Sequence, residues 1–443
     1  MNLRETENQY YAITIGAIHT AIMSVAVIKE AALKVIETLT KAGYTAYFVG
    51  GCVRDELLGR PVADYDVTTS ARPDQIKSLF TVTSSESEQY GIIRVFIPDI
   101  TERAPGKSGS DYKRTGGYSS GEWIETTTFR AHHNFINTET HSPTLESDSL
   151  RRDFTVNAIY WDPINEKTID LVGGQMDLQL RILRVIGDPV IRFQEDPSRI
   201  LRAIRLSISC GLTLDSKIWD AIKVCKVECT PLKLNQELTK VITKGILEPW
   251  MKLMDKNCIL AQSYPLFDGM NPIYYPVLAR FDSTAKSSND VNLIPLGLAA
   301  LCTGANLENA IKFFASLGYS RRCLDEVHYL LTNVKIITTH QQLSGTQILE
   351  AAKHSHWKHL LLFGKIIGIS DPIIAGLIKR LEDLLSSPKI FSRFLSGKDL
   401  RSMGYTPGPD FKAMLIALAQ EEIKGAVTSV EEAQKWIMRE YPH

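Results

Sequence analysis

The stretch Tyr47 to Thr69, YFVGGCVRDELLGRPVADYDVTT, most constrains what this chain can fold into. Its aromatic and β-branched run ending at Val49 predicts a buried strand, and Gly50-Gly51 breaks that strand before the helical spacing of Val53, Leu57 and Leu58 begins. A glycine pair at the mouth of a helix lets backbone amides approach an anion, and the helix's first unpaired N–H groups add positive potential there. Arg54, one turn in, adds a fixed cation. After the Gly59-Arg60-Pro61 break, Asp64-Tyr65-Asp66 leads into Val67. Residues i and i+2 of an extended segment point the same way, so the two carboxylates converge on one small volume. Such a pair suits oxygen ligation of two divalent ions in in-line phosphoryl transfer. Taken alone, the glycine pair also suits a turn and Asp-x-Asp a solvated loop.

In this order, Gly50-Gly51-Cys52-Val53-Arg54-Asp55, Leu57-Leu58-Gly59-Arg60 and Asp64-Tyr65-Asp66 resemble the head-domain signature of the class II tRNA nucleotidyltransferase and bacterial poly(A) polymerase superfamily. Within it, the resemblance points to the CCA-adding enzymes. It implies an α+β fold: a polymerase-β-like head with a small mixed sheet and helices, then an all-α neck, body and tail. The expected divisions are an N-terminal extension at 1–26, the head at 27–165, a neck with a base-reading helix at 166–235, a helical body at 236–388 and a tRNA-binding tail at 389–443.

The order of elements agrees with a small α/β unit at the front. Ile28, Ala31, Ala32, Val35, Ile36 and Leu39 recur at helical spacing, with Gly43 as a stop. Pro73 to Phe80 reads as a short helix, and Ile92 to Ile97 and Trp123 to Arg130 read as strands. Glu125 shares a strand face with Thr127 and Phe129; in the resembled family a carboxylate in this E-x-x-T-F-R context lies beside the metal pair, whereas the bare reading is a polar residue at a strand edge. The glycine- and serine-rich stretch Pro98 to Gly121 carries Lys107, Lys113 and Arg114, which suit either a solvated hairpin tip or contacts to RNA phosphates. After Arg130 the family's usual Asp, Gly and Arg give way to Ala131-His132-His133-Asn134-Phe135-Ile136-Asn137. Adjacent histidines on a strand point opposite ways, which argues against a shared ion.

Two further blocks strengthen the resemblance. Arg151-Arg152-Asp153-Phe154-Thr155-Val156-Asn157-Ala158 suits a helix start with Asp153 near the cap, and in the family this string contacts the incoming nucleotide. It implies Arg152 as a triphosphate or sugar ligand and Asn157 as a ribose contact. In Glu195-Asp196-Pro197-Ser198-Arg199-Ile200-Leu201-Arg202-Ala203-Ile204-Arg205, Pro197 suits a first helical turn, and Asp196, Arg199 and Arg202 fall at i, i+3 and i+6 on one face. Cytosine and adenine both present an amino donor beside a ring-nitrogen acceptor, so one carboxylate with one guanidinium accepts either and rejects guanine and uracil. On spacing alone Asp196 and Arg199 suit a surface ion pair; the resemblance makes them the base readers.

The implied site comprises Asp64, Asp66 and Glu125 as catalytic carboxylates, with Asp64 and Asp66 on two magnesium ions. Gly51, Arg54, Arg152, Asp196, Arg199, Arg202 and Arg205 bind the nucleotide. The implied substrates are CTP and ATP, and the implied partner is the acceptor arm of tRNA, with pyrophosphate released and no obligatory protein partner. Poly(A) synthesis is the nearest alternative, although Gln89-Tyr90-Gly91-Ile92-Ile93 stands where poly(A) polymerases carry a basic string. CC-only or A-only addition, and a catalytically silent RNA-binding module, are further alternatives.

Composition sets outer bounds. A chain of 443 residues, 44% hydrophobic and 23% charged, has length for about three domains. Lys plus Arg equals Asp plus Glu at 50 each, so any RNA site is a local basic patch rather than a broad coat. Seven scattered cysteines without C-x-x-C pairing favour reduced thiols and a cytoplasmic setting. The apolar run Tyr10 to Ile28 holds His19 and several threonines, which argues against a membrane span, and Met23 is an alternative start. Beyond Leu206, amphipathic helices dominate, as at Ser216 to Val227, Asn306 to Leu317, Ile374 to Leu385 and Lys412 to Ile423. Leu395 to Asp410 resembles the tail of bacterial CCA-adding enzymes, with Lys398 as a phosphate ligand. His354, His356 and His359 read as a helix face rather than a metal site, and the missing His-Asp pair argues against phosphohydrolase activity.

Overall fold

The structure is a computed structural model and describes residues 26–84, 91–98, 121–130, 144–268, 271–287, 291–303, 305–386, 394–424 and 426–442. Several sequence expectations lie outside them: the apolar run up to Val25, Gln89-Tyr90, Lys107, Lys113, Arg114 and the segment Ala131 to Asn137. The chain divides into two compact units, Met1–Lys226 and Val227–His443.

In the first unit, helix α1 (26–41) buries Ala31, Ala32, Val35, Ile36 and Leu39, the apolar stripe seen in the sequence. Then follow β1 (Ala46–Val49), α2 (Gly51–Leu57), β2 (Val67–Thr69), α3 (Pro73–Leu79), β3 (Thr83–Ser84), β4 (Ile92–Pro98), β5 (Gly121–Thr128), α4 (Leu145–Arg151), β6 (Ile159–Asp162), β7 (Lys167–Asp170) and α5 (Gly174–Gln179). The strands form one seven-stranded sheet in the order β3-β4-β5-β2-β1-β6-β7. Only β2 and β5 run parallel; every other neighbouring pair is antiparallel. This is the small mixed sheet expected of an α+β head. Its core includes Phe48, Val67, Ile93, Val95, Ile124, Ile159 and Tyr160, all essentially inaccessible.

Past the sheet, β8 (Ile182–Leu183) pairs in parallel with β9 (Thr213–Leu214), a short ladder that the helical pattern beyond Leu206 does not announce. Between them lie α6 (Pro189–Glu195), capped by the Asp188 carboxylate, and α7 (Ser198–Cys210), which ends at Gly211 in the left-handed region, φ 65°. Helix α8 (Ser216–Val224) closes the unit.

Among the described residues the second unit is wholly helical. Trp250, Tyr264, Phe281 and Phe314 are fully buried in it, and Trp250 meets Tyr264 edge-on with ring centres 5.5 Å apart. The expected helices occur as Leu307–Ser316, Asp371–Ser386 and Pro409–Lys424. Near the C-terminus, Leu395, Leu400, Leu415, Leu418, Val427, Ala433 and Ile437 form their own cluster, flanked by Trp436 and Tyr441. Among the described residues, no helix is long and apolar enough to cross a membrane.

Candidate active site

Leading into β2, Asp64 is exposed, Tyr65 buried, Asp66 half-buried and Val67 buried. This alternation is that of an extended segment and turns both carboxylates to the side opposite Tyr65. Tyr65 pins the segment: its hydroxyl donates to Glu56 Oε1 at 2.6 Å, which also accepts from Lys29 Nζ at 2.8 Å, and its ring lies 5.2 Å from that of Phe48. The parallel register matches Val67 with Thr126 and Thr69 with Thr128. Continued back by one residue, it sets Asp66 beside Glu125, which is exposed between buried Ile124 and Thr126. Thr127 shares the Glu125 face, whereas Phe129 lies past the strand and stacks on Tyr47 at 6.4 Å. The donor set is therefore all carboxylate oxygen, the ligand type that hard divalent cations such as magnesium take. Cys52 is not a nucleophile here: its thiol donates to the Val49 carbonyl at 3.3 Å, and burial together with the Asp66 carboxylate pushes its pKa up to about 12.

Gly50 precedes α2 with φ 83° and ψ −130°, a conformation open to glycine alone, and no side chain caps the helix. Arg54 folds back beneath this turn, with Nη2 3.7 Å from where a Cβ on Gly51 would stand. The residue is 7% exposed and its side chain grips Asp55 twice, Nε to Oδ1 at 3.0 Å and Nη2 to Oδ2 at 2.8 Å. Burial opposes the guanidinium charge, but the Asp55 hydrogen bonds together with the charges of Asp55 and Asp153 and the Cys210 thiol outweigh it and hold the pKa above its ordinary value. The remaining nitrogen, Nη1, donates to Asn157 Oδ1 at 2.6 Å.

Asn157 stands on a 3₁₀ turn, Thr155–Asn157, and its Nδ2 donates to Asp153 Oδ1 at 3.3 Å. The other Asp153 oxygen accepts from Arg202 Nη1 at 2.7 Å. Burial works against ionising Asp153, and Arg202 and Asn157 outweigh it, so its pKa falls below the usual carboxylate range. The three sequence blocks thus meet in one polar chain, Asp55–Arg54–Asn157–Asp153–Arg202. Gly174 fixes the turn from behind, since a Cβ there would stand 2.2 Å from the Thr155 carbonyl oxygen. Asp170 holds the backbone of that approach by accepting from the amides of Val172, Gly173, Gly174 and Gln175 at 2.9 to 3.2 Å.

Arg152 is anchored by a residue that sequence reasoning missed. Asp148, fully buried on α4, accepts from Arg152 Nη2 at 2.9 Å, Arg151 Nε at 2.8 Å, the Tyr160 hydroxyl at 2.9 Å and the Arg130 amide at 3.2 Å. Burial raises the pKa of Asp148, but Arg152 and Arg151 prevail and leave it below normal. The signal was the spacing: Asp148 stands three and four residues before Arg151 and Arg152, one helical turn away on α4.

The base-reading block differs from its expected geometry. Asp196 does not sit on the helix that carries Arg199 and Arg202; it occupies the extended joint between α6 and α7, φ −149° and ψ 93°. Proline at 197 disfavours helical backbone at the residue before it, so the helix starts only at Ser198. Asp196 Oδ1 accepts from the Ser198 amide at 3.1 Å and hydroxyl at 2.6 Å. Arg199 uses Nη1 to reach Glu195 Oε2 at 2.9 Å and the Arg192 carbonyl at 2.7 Å. Arg205 is buried, one turn beyond Arg202. In the second unit, Lys398 is exposed on the first turn of Gly397–Ser402, a helix capped by Ser396 and Asp399.

Comparison with known proteins matches residues 46–184 to the poly A polymerase head domain. Poly(A) polymerase I of Salmonella typhimurium is 36% identical over 222 residues, 49% of this chain and 46% of that protein, so the chain aligns with about half the length of that relative. A CCA-adding enzyme of Streptococcus pneumoniae is 29% identical over 430 residues, 93% of this chain and 97% of that protein. Among solved structures, the Bacillus stearothermophilus CCA-adding enzyme in complex with CTP superposes with a TM-score of 0.54 at 25% identity, over 93% of this chain and 97% of that one.

Proposed function

Because the chain belongs to the class II tRNA nucleotidyltransferase and bacterial poly(A) polymerase superfamily, we propose that it adds CCA to the 3′ end of tRNA, taking CTP and then ATP without a nucleic-acid template. The observation that carries this reading is the extent of likeness: the CCA-adding relative aligns over 97% of its length, whereas poly(A) polymerases of Salmonella typhimurium and Haemophilus influenzae align over 46% and 68% of theirs. In the proposed reaction the 3′-hydroxyl of tRNA attacks the α-phosphate and pyrophosphate leaves. Asp64 and Asp66, with Glu125 alongside, would hold two magnesium ions, which supply hydroxyl activation and charge neutralisation when bound.

The remaining roles fall to this chain's own groups. Gly51 admits the triphosphate close to the backbone, while Arg54 supplies fixed positive charge under the turn and holds Asn157 towards the ribose. Arg152, Arg202 and Arg205 orient and neutralise the phosphates. Asp196 accepts a hydrogen bond from the amino group of cytosine or adenine and Arg199 donates to the ring nitrogen; Glu195 and the Arg192 carbonyl steady that guanidinium through Nη1. A buried site built on such bonds rejects the reversed donor order of guanine and uracil. The helical second unit holds the acceptor arm through phosphates and shape, with Lys398 among the contacts.

The test is direct. Purified protein is incubated with tRNA lacking its CCA end and with each labelled nucleotide singly and together. Addition of two cytidines and one adenosine supports the proposal; long adenosine tails would establish the poly(A) reading, which the 36% identity over 222 residues also supports. Addition of C alone or A alone marks a partial enzyme, and no addition at all overturns the catalytic reading.

A further inference from the structure

Far along the sequence from the nucleotide site, in the second unit, three side chains that no sequence motif links come together. Glu326 lies on helix Arg321–Asn333 and is 5% exposed; His356 and His359 enter helix Trp357–Ile366, one turn apart. His356 Nδ1 stands 3.2 Å from Glu326 Oε2, and His359 Nδ1 bonds to the other carboxylate oxygen. One ligand atom from each residue can be chosen so that all three lie within 4.8 Å of one another.

We propose that Glu326, His356 and His359 form a binding site for a zinc-like divalent metal ion that joins these two helices. Two imidazoles and one carboxylate are the donor set of three-ligand zinc sites, with a fourth position left for water. A tetrahedral ion with bonds of about 2.0–2.2 Å spaces its ligand atoms by about 3.3–3.6 Å, and the His356 to Glu326 separation of 3.2 Å lies close to that range. A carboxylate this buried requires a positive counterpart, and the ion-pair partners it has among the described residues are these two imidazoles; Arg322 stands near enough to act on His356. The neighbourhood is also rigid: His354 stacks on Tyr329 with ring centres 3.8 Å apart and planes at 10°, and its Nδ1 accepts from the His356 amide at 3.3 Å. Imidazole favours zinc, cobalt and nickel over magnesium, so the proposed ion is of a different class from those of the nucleotide site.

The full-length chain, stripped with a chelator and kept in excess magnesium to mask the carboxylate site, is titrated with cobalt(II), with visible ligand-field absorption as the readout. One equivalent is expected to bind and to be displaced by zinc. The E326Q and H356Q/H359Q variants, checked for native circular dichroism, should each weaken binding by about 100-fold or more. Without any substitution, bound zinc should shield His356 and His359 from diethyl pyrocarbonate, read by mass spectrometry. The absence of cobalt binding, equal binding by wild type and variants, or modification of the two histidines at the same rate with and without zinc would each overturn the proposal.

Discussion

Arg54 Nη1 donates to Asn157 Oδ1 at 2.6 Å, joining two side chains 103 positions apart. The helix behind the glycine turn and the 3₁₀ turn behind Arg151-Arg152-Asp153 are thereby held as one piece. The guanidinium is buried and its Nε and Nη2 are held by Asp55, so among the described residues Asn157 is the acceptor that holds Nη1.

Asn157→Ala therefore strands a buried donor. The expected cost is about 1–3 kcal/mol of stability, together with weaker nucleotide use. Urea unfolding and kcat/KM for CTP check both; an unchanged midpoint would show that Arg54 finds another partner.

Asp148→Asn removes the carboxylate on which Arg151 and Arg152 converge. Breaking one side of a buried ion pair costs about 3–5 kcal/mol. The pH dependence follows from the lowered pKa. The unfolded carboxyl titrates near about 3.9, so the stabilisation is complete above that pH and is lost as pH falls through the lower folded value. Wild type should lose stability on acidification below about pH 4 more steeply than the variant does.

Asp282 has the opposite sign. It accepts from the amides of Leu247 and Glu248 at 2.7 and 2.8 Å, yet burial outweighs those bonds and lifts its pKa to about 6. A carboxyl raised in the folded state contributes most below its unfolded pKa, and that contribution is lost as pH climbs to about 6. Asp282→Asn should remove a loss of roughly 1.4 kcal/mol per pH unit between about pH 4 and 6. Unfolding free energies of both chains across that window decide it.

Gly174→Ala forces a methyl to within 2.2 Å of the Thr155 carbonyl oxygen. Relief requires the 3₁₀ turn to move, at about 1–3 kcal/mol, and Asn157 moves with it. The variant should lose nucleotide affinity although residue 174 is not among the proposed nucleotide ligands; full retention of KM would separate the turn from the site.

Arg199→Ala tests the base reader. Incorporation of C and A should fall while discrimination against G and U relaxes by about 100-fold or more. Loss of stability with selectivity intact would assign Arg199 to packing alone.

Much of this was legible in the sequence because the signals are local. Gly50-Gly51, Asp64-Tyr65-Asp66 and the stripe of α1 each carry their geometry within a few residues, and the structure shows the strand, the glycine turn and the extended acidic segment where the pattern puts them. What the sequence did not reveal depends on partners far along the chain or on competing backbone rules. The spacing of Asp148 to Arg151 and Arg152 was in the sequence, but its contacts to Tyr160 and the Arg130 amide were not. Asp196 was displaced from its helix by the proline beside it, a local rule that helical spacing overran. Glu326 gives no sign of its histidines, which come from another helix 30 and more positions later.

The parallel pairing of β2 with β5 has a consequence for synthesis on the ribosome. A nascent chain ending before Gly121 would have β1 and β2 but nothing against the outer side of β2, leaving apolar Val67 next to an open hydrogen-bonding edge. Parallel partners must wait for a long excursion of chain, so this front unit is exposed to misassociation until β5 emerges, and translational pausing upstream of that strand would lengthen the exposure.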